Sequence, residues 1–189
     1  MLILVIPHLM VYCCCKERRI IKIDVQRWAS VINLSDKLGG GNFSLLKLAY
    51  LLLFLKEYRN LFYLRVGRWR WLLYYLRPLS SLYICVKSEN FGAGTFIQHG
   101  FSTIITAKRI GKNCWINQQV TIGYNNSRTL GIGQPTIGDN VRISAGTKVI
   151  GPITVGDNSI IGANAVVAKN LPRNSVAIPS PTVIKEMKI

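Results

Sequence analysis

The chain has 189 residues, 49% of them hydrophobic and 17% charged, with a formal net charge of +16. That length holds one ordinary domain, or a repeat domain with an attached helical segment, and excludes two full catalytic domains. So much apolar surface excludes a disordered chain. The charge is not a basic tail: fourteen Lys and Arg stand against five acids in residues 1–90, and ten against three in 91–189. A field of that sign attracts nucleic acid, an anionic membrane, an acidic polysaccharide or a polyanion such as coenzyme A. No nucleic-acid-binding motif of defined spacing is present, so no nucleic acid is expected as a partner. Five cysteines, with Cys13, Cys14 and Cys15 consecutive, fit neither a disulfide framework nor zinc-ligand spacing. They point to a reducing, cytoplasmic compartment, with the inner face of the membrane as a further location.

In chain order, the run Met1 to Cys15 is apolar but broken by Pro7 and His8, and its charges, Lys16 to Arg19, follow it instead of leading it. It falls short of the roughly 18–20 residues that span a bilayer and is expected to be a poorly ordered start. Apolar residues then recur at helical spacing from Ile23 to Leu34 and from Ser44 to Val66, with Ser44 as a candidate cap and Gly39 to Gly41 as a linker. A third apolar run, Trp71 to Leu76, stops before Pro78. Residues 1–90 are thus expected as an α-helical N-terminal segment. Within it, residues 61–77 interleave Arg65, Arg68, Arg70 and Arg77 with Tyr63, Trp69, Trp71, Tyr74 and Tyr75. Two readings fit: aromatics packed on the protein under a solvated arginine rim, or peripheral contact with lipid headgroups.

From Phe91 the pattern changes. Aliphatic or aromatic residues stand at Phe91 and Ile97, at Ile104, Ile110, Ile116 and Ile122, and at Ile137, Ile143, Val149, Val155, Ile161 and Val167. Within each group the step is six, and a glycine often follows. The fourth neighbour is small or β-branched, as in Thr95, Val120, Val141, Thr147, Ser159 and Ala165. An α-helix rotates a six-residue stripe off its face, whereas a parallel β-helix of short strands keeps it inward. Twelve units at three per triangular coil predict about four coils over residues 91–176, stable only when stacked, followed by a tail at 177–189. The fifteen-residue step from Ile122 to Ile137 frees residues 124–135 as a projecting loop. It serves either an acceptor site or a contact between subunits.

The segments FIQHGF (96–101), IGKNCWINQQVTIG (110–123), IGDNVRISAGTKVIG (137–151) and VGDNSIIGANAVV (155–167), with KEYRNLFYLRVG (56–67), resemble the bacterial hexapeptide-repeat acyltransferases. The likeness is to the serine acetyltransferase branch, which also contains exopolysaccharide acetyltransferases of the colanic-acid type. The resemblance implies a left-handed parallel β-helix, a homotrimer, and acyl transfer from acetyl-CoA as co-substrate, with no tightly bound cofactor. Acyl transfer to a hydroxyl needs a base, an oxyanion donor and a slot for the CoA arm.

Of two histidines, His8 lies in the apolar start and His99 in the repeat; the residues alone read His99 either as an ordinary surface imidazole or as a functional one, and the match to FIQHGF makes it the expected general base. The family's partner aspartate falls on Ile84, and Gln98 replaces a second one, so Gln98 and Glu89 are the candidate supporting groups; Glu89 also reads as an ordinary exposed loop residue. The acceptor loop is expected to use Tyr124, Asn125, Asn126, Arg128 and Gln134. For CoA the resemblance points to Ala145, Gly146, Ala163 and Lys169, while Pro181 stands where the family has a phosphate-binding arginine. Cys85 and Cys114 read as core, and no set of metal ligands is seen.

The family's Asp-Arg-His-Pro motif appears as Ile132-Gly133-Gln134-Pro135, without the arginine that would pair an amino acid carboxylate. On that ground the expected activity is acetyl-CoA-dependent O-acetylation of a sugar hydroxyl in exopolysaccharide or capsule biosynthesis. The alternatives are serine O-acetyltransferase in cysteine biosynthesis, and a non-catalytic scaffold or membrane-surface module.

Overall fold

The computed structural model describes residues 2–38, 40, 42–127 and 131–180. Six α-helices come first: α1 (Ile6–Cys14), α2 (Arg18–Val31), α3 (Leu34–Lys37), α4 (Leu45–Phe54), α5 (Lys56–Val66) and α6 (Arg70–Leu73). Ser44 caps α4 as expected, its Oγ accepting from Lys47 N at 3.2 Å. The expected disorder at the start is not found. A 3-10 turn at Leu2–Val5 leads into α1, and Val5, His8 and Tyr12 are buried. Pro7 sits in the first turn of α1, where its missing N–H leaves no partner wanting.

Strands follow in chain order: β1 (Leu82–Ile84), β2 (Phe96–Ile97), β3 (Thr103–Ile105), β4 (Arg109–Ile110), β5 (Trp115–Ile116), β6 (Thr121–Gly123), β7 (Asn125–Ser127), β8 (Gly131–Gly133), β9 (Thr136–Ile137), β10 (Arg142–Ile143), β11 (Lys148–Ile150), β12 (Thr154–Val155), β13 (Ile160–Ile161), β14 (Val166–Val167) and β15 (Val176–Ala177). All but β7 and β8 fall into three parallel sheets, ordered β1-β3-β6-β11-β14, β4-β9-β12 and β2-β5-β10-β13-β15. The chain visits the three in rotation, from first to second to third, and bridges at Phe91 and Leu171 complete the second sheet's ladder. Among the described residues the first and third sheets therefore stack five rungs, where the sequence predicts about four coils. β1 begins before the expected start at Phe91, and β15 follows the last residue of the six-residue column.

The inward column is Phe91, Ile97, Ile110, Ile116, Ile122, Ile137, Ile143, Val149, Val155, Ile161 and Val167, all buried. One predicted member fails. Ile104 is 43% exposed, and Ile105 is the inward residue, in register with Ile84 and Ile122. Because successive strand side chains point to opposite faces, one residue of slip exchanges them. The slip arises between Ile97 and Ile105, where His99 and Ser102 both take left-handed backbone (φ 57° and 51°).

The corner from the second to the third sheet explains the Gly-Asp-Asn triplets. A Cβ on Gly111 would lie 2.2 Å from Gly138 O of the next rung. Asp139 Oδ1 accepts from Lys112 N at 2.8 Å, and Asp157 Oδ1 from Asp139 N at 2.7 Å. The asparagines Asn113, Asn140, Asn158 and Asn174 supply left-handed φ, and the last three link Nδ2 to Oδ1 at 3.0 and 3.1 Å. Cys114 is buried, as expected, and burial pushes its thiol up to about 12. Cys85 is exposed, not core.

One hydrophobic cluster runs through helices and rungs alike. Trp28 on α2 donates Nε1 to Thr95 O at 2.9 Å and packs edge-on to Phe96. Arg65 on α5 bonds Asp24 Oδ2 through Nε at 3.0 Å, Phe91 O through Nη1 at 2.6 Å and Gly92 O through Nη2 at 3.0 Å. Arg65 and Tyr63 therefore belong to the interior and not to a solvated rim, while Arg68, Arg70 and Arg77 are exposed. Among the described residues no helix is long and apolar enough to cross a membrane.

Candidate active site

His99 stands at the corner between the third and first sheets, after β2 and before β3. Its side chain is exposed, its backbone is left-handed, and Phe101 N donates to its carbonyl. A non-glycine residue held in this region costs of order 1 kcal/mol and recurs at functional sites. Below it along the same corner lie Gln118 and Gln119, then Ala145 and Gly146, then Ala163 and Asn164. Backbone hydrogen bonds join these levels: Gln119 N to Phe101 O at 3.0 Å, Gly146 N to Gln118 O at 3.1 Å, and Asn164 N to Ala145 O at 2.9 Å. His99 and the small residues Ala145, Gly146 and Ala163 are thus brought onto one edge, one rung apart at each step after a gap at the glutamines. Lys169 is not on that edge; it sits, exposed, at the corner from the first to the second sheet.

The two supporting candidates fare differently from expectation. Gln98 Oε1 accepts from Trp115 Nε1 at 3.1 Å and Asn117 Nδ2 at 3.2 Å, so it ties rungs together. Glu89 is exposed beside Lys87 Nζ at 3.9 Å, in the turn that leads to the second sheet, away from the His99 corner. Ile84 lies in β1, paired to Ile105.

Two residues that sequence reasoning missed lie near the histidine. A Cβ added to Gly100 would fall 3.2 Å from Glu57 Cγ, so the Glu57 stem packs over the residue that follows His99. Among the described residues its carboxylate has no hydrogen bond or ion pair. Glu57 belongs to the KEYRNLFYLRVG segment, but nothing in that segment ties it to His99, forty-two residues on. Gln118 Oε1 is buried with no hydrogen-bond partner on the rung next to His99. Buried acceptors are seldom left so, and sequence alone carries no sign of it.

The projecting loop is an antiparallel hairpin of β7 and β8, with Asn125 opposite Gly133, Asn126 opposite Ile132 and Ser127 opposite Gly131. Gly133 (φ 146°) packs on Pro152, where an added Cβ would come to 3.1 Å. Tyr124, Asn126, Ile132 and Gln134 are exposed; Arg128 lies outside the described residues, as does Pro181. The hairpin leaves the corner from the first to the second sheet, so within one chain it does not share the His99 edge. Ile132 and Gly133 are committed to hairpin pairing, and the identity of Gln134 at this corner does not report on what reaches His99 in the same chain.

His8 is buried in the helices, 3.0 Å from Tyr63 Oη and 3.3 Å from Tyr75 Oη. Burial pulls its pKa down to about 4.

Residues 134–169 match the family described as bacterial transferase hexapeptide (six repeats). A serine acetyltransferase of Mycobacterium tuberculosis is 42% identical over 91 residues, which are 48% of this chain and 39% of that protein. One of Helicobacter pylori is 43% identical over 90 residues, covering 47% and 52%. The chain spans about half the length, or less, of the curated relatives it matches. Among solved structures, serine acetyltransferase isoform 3 of Entamoeba histolytica, in complex with cysteine, superposes with a TM-score of 0.60 at 25% identity, over 89% of this chain and 61% of that one. The Neisseria gonorrhoeae serine acetyltransferase in complex with serine gives 0.64 at 20% identity over 93% and 72%, a likeness of fold. The resemblance to hexapeptide-repeat acyltransferases of the serine acetyltransferase branch therefore stands. The expected sugar acceptor in exopolysaccharide or capsule biosynthesis does not. These relatives and structures are named serine acetyltransferases.

Proposed function

We propose that this protein is an acetyl-CoA-dependent serine O-acetyltransferase with His99 as general base. The observation that carries the reading is the 42–43% identity to serine acetyltransferases over 90–91 residues of this chain. The His99 imidazole takes the proton of the serine hydroxyl as its oxygen attacks the thioester carbonyl carbon. The tetrahedral adduct collapses, the carbon–sulfur bond breaks, and the CoA sulfur leaves with the proton from His99. No covalent enzyme intermediate forms, and acetyl-CoA is a co-substrate, not a resident cofactor. Ala145, Gly146 and Ala163, small residues stacked on one edge, leave room for the pantetheine arm. Glu57 stands in for the absent aspartate by favouring the imidazolium that forms as His99 takes the proton.

The same reading includes a left-handed winding of the three sheets, a homotrimer in which the 124–135 hairpin of one copy approaches the His99 edge of another, and a cytoplasmic setting. Purified protein incubated with acetyl-CoA and L-serine is expected to form O-acetylserine, detected by mass spectrometry. Hydrolysis of acetyl-CoA without an O-acetylserine product would reject serine as acceptor.

A further inference from the structure

We infer that the helical segment docks on an anionic lipid bilayer through one apolar face. α4 is apolar all round: its one charged side chain, Lys47, is buried, with Nζ on the carbonyls of Gly40 and Asn42. Its outward stripe is Leu46, Tyr50 and Phe54, at 60%, 38% and 53% exposure. Leu2 closes a groove of about 290 Å³ against that stripe. Ile3 and Leu4 follow Leu2 at 79% and 49% exposure, and Tyr75 Oη donates to Leu4 O at 2.6 Å; Trp71 and Leu72, one turn before Tyr75 in the chain, are 71% and 67% exposed, with Trp71 beside Tyr83 and Cys85. Contiguous apolar surface of this kind marks an interaction site, whereas isolated exposed side chains do not.

Charge decides the occupant. Lys56, two residues after Phe54, and Arg68, Arg70 and Arg77, which flank Trp71 and Leu72 in the chain, are exposed, and Arg68 and Arg70 lie over the rings of Trp69 and Trp71 at 5.8 and 5.0 Å. Between residues 40 and 80 the single acid is Glu57, half-buried. A second copy seated here face to face would set Lys56 and these arginines against their own counterparts. Anionic headgroups neutralise them, while tryptophan and tyrosine suit the headgroup boundary. The inference does not depend on the proposed acetyl transfer.

The test uses the full chain with vesicles of phosphatidylglycerol and phosphatidylcholine, and with phosphatidylcholine alone. Co-sedimentation with the anionic vesicles is expected, falling roughly tenfold on neutral ones and roughly tenfold in Leu46→Glu/Phe54→Glu. On the unaltered chain, nitroxide lipid labelled near the headgroup is expected to quench tryptophan fluorescence, and Trp71→Phe to lose much of that quenching. No sedimentation with anionic vesicles, or sedimentation without quenching, would overturn the inference. So would sedimentation velocity showing that Leu46→Glu/Phe54→Glu halves the mass of a lipid-free oligomer, since a second copy would then cover the face.

Discussion

The two histidines show how differently one residue type is used. His8 is held neutral by burial at a pKa near 4, so between pH 6.5 and 4 the unfolded chain takes up a proton that the folded chain refuses. Its contribution is fully present above about pH 6.5 and is lost as pH falls toward 4, by up to about 3 kcal/mol. Urea unfolding at pH 7 and pH 4.5 is expected to show that loss in the wild type and a smaller one in His8→Gln. His99 is exposed, and what distinguishes it is the left-handed backbone and the Glu57 stem over Gly100. Glu57→Gln is therefore expected to lower kcat about tenfold at saturating L-serine. An unchanged kcat would remove Glu57 from the site. His99 was legible because FIQHGF is contiguous in sequence; Glu57 was not, because it lies forty-two residues upstream and meets Gly100 only through the packing of α5 on β1.

At the level of single elements, the hexapeptide period was readable because each inward residue repeats the same local geometry. β1 was not, since Leu82–Ile84 stands alone before an irregular turn and acquires its meaning only by pairing with β3. The slip at Ile104 escaped for a related reason: counting by sixes cannot see two left-handed residues within one corner. The hairpin of β7 and β8 hid because its strands are three residues each and contain two glycines. The glycine corners were visible as a pattern, and the close approach of rungs gives the cause. Gly111→Ala sets a methyl carbon against Gly138 O and is expected to destabilise the fold by about 1–3 kcal/mol in urea unfolding. Gly123→Ala, whose added carbon would meet the flexible tip of Ile150 at 3.2 Å and Thr121 Cγ2 at an ordinary 3.5 Å, is expected to cost clearly less.

Across the whole molecule, the helices and the rungs share one core, pinned by the buried pair of Arg65 and Asp24. Asp24 Oδ1 also accepts from Gly94 N at 2.7 Å, so one carboxylate serves α5 and the first rung together. Asp24→Ala leaves the guanidinium buried without its counter-charge and is expected to cost about 3–5 kcal/mol, measured as a lowered urea midpoint. That junction places Glu57 near His99, and the stacked rungs below it carry the small-residue edge, so catalysis as proposed depends on helices and rungs together. The central claim is that His99 at the head of this edge activates serine. Its most direct test is the steady-state rate of thiol release from acetyl-CoA with saturating L-serine, for the wild type and for a folded His99→Ala. Serine-dependent release is expected, dropping by about 10²–10⁴-fold in the variant. Release that L-serine does not stimulate, or that persists undiminished in His99→Ala, would contradict it.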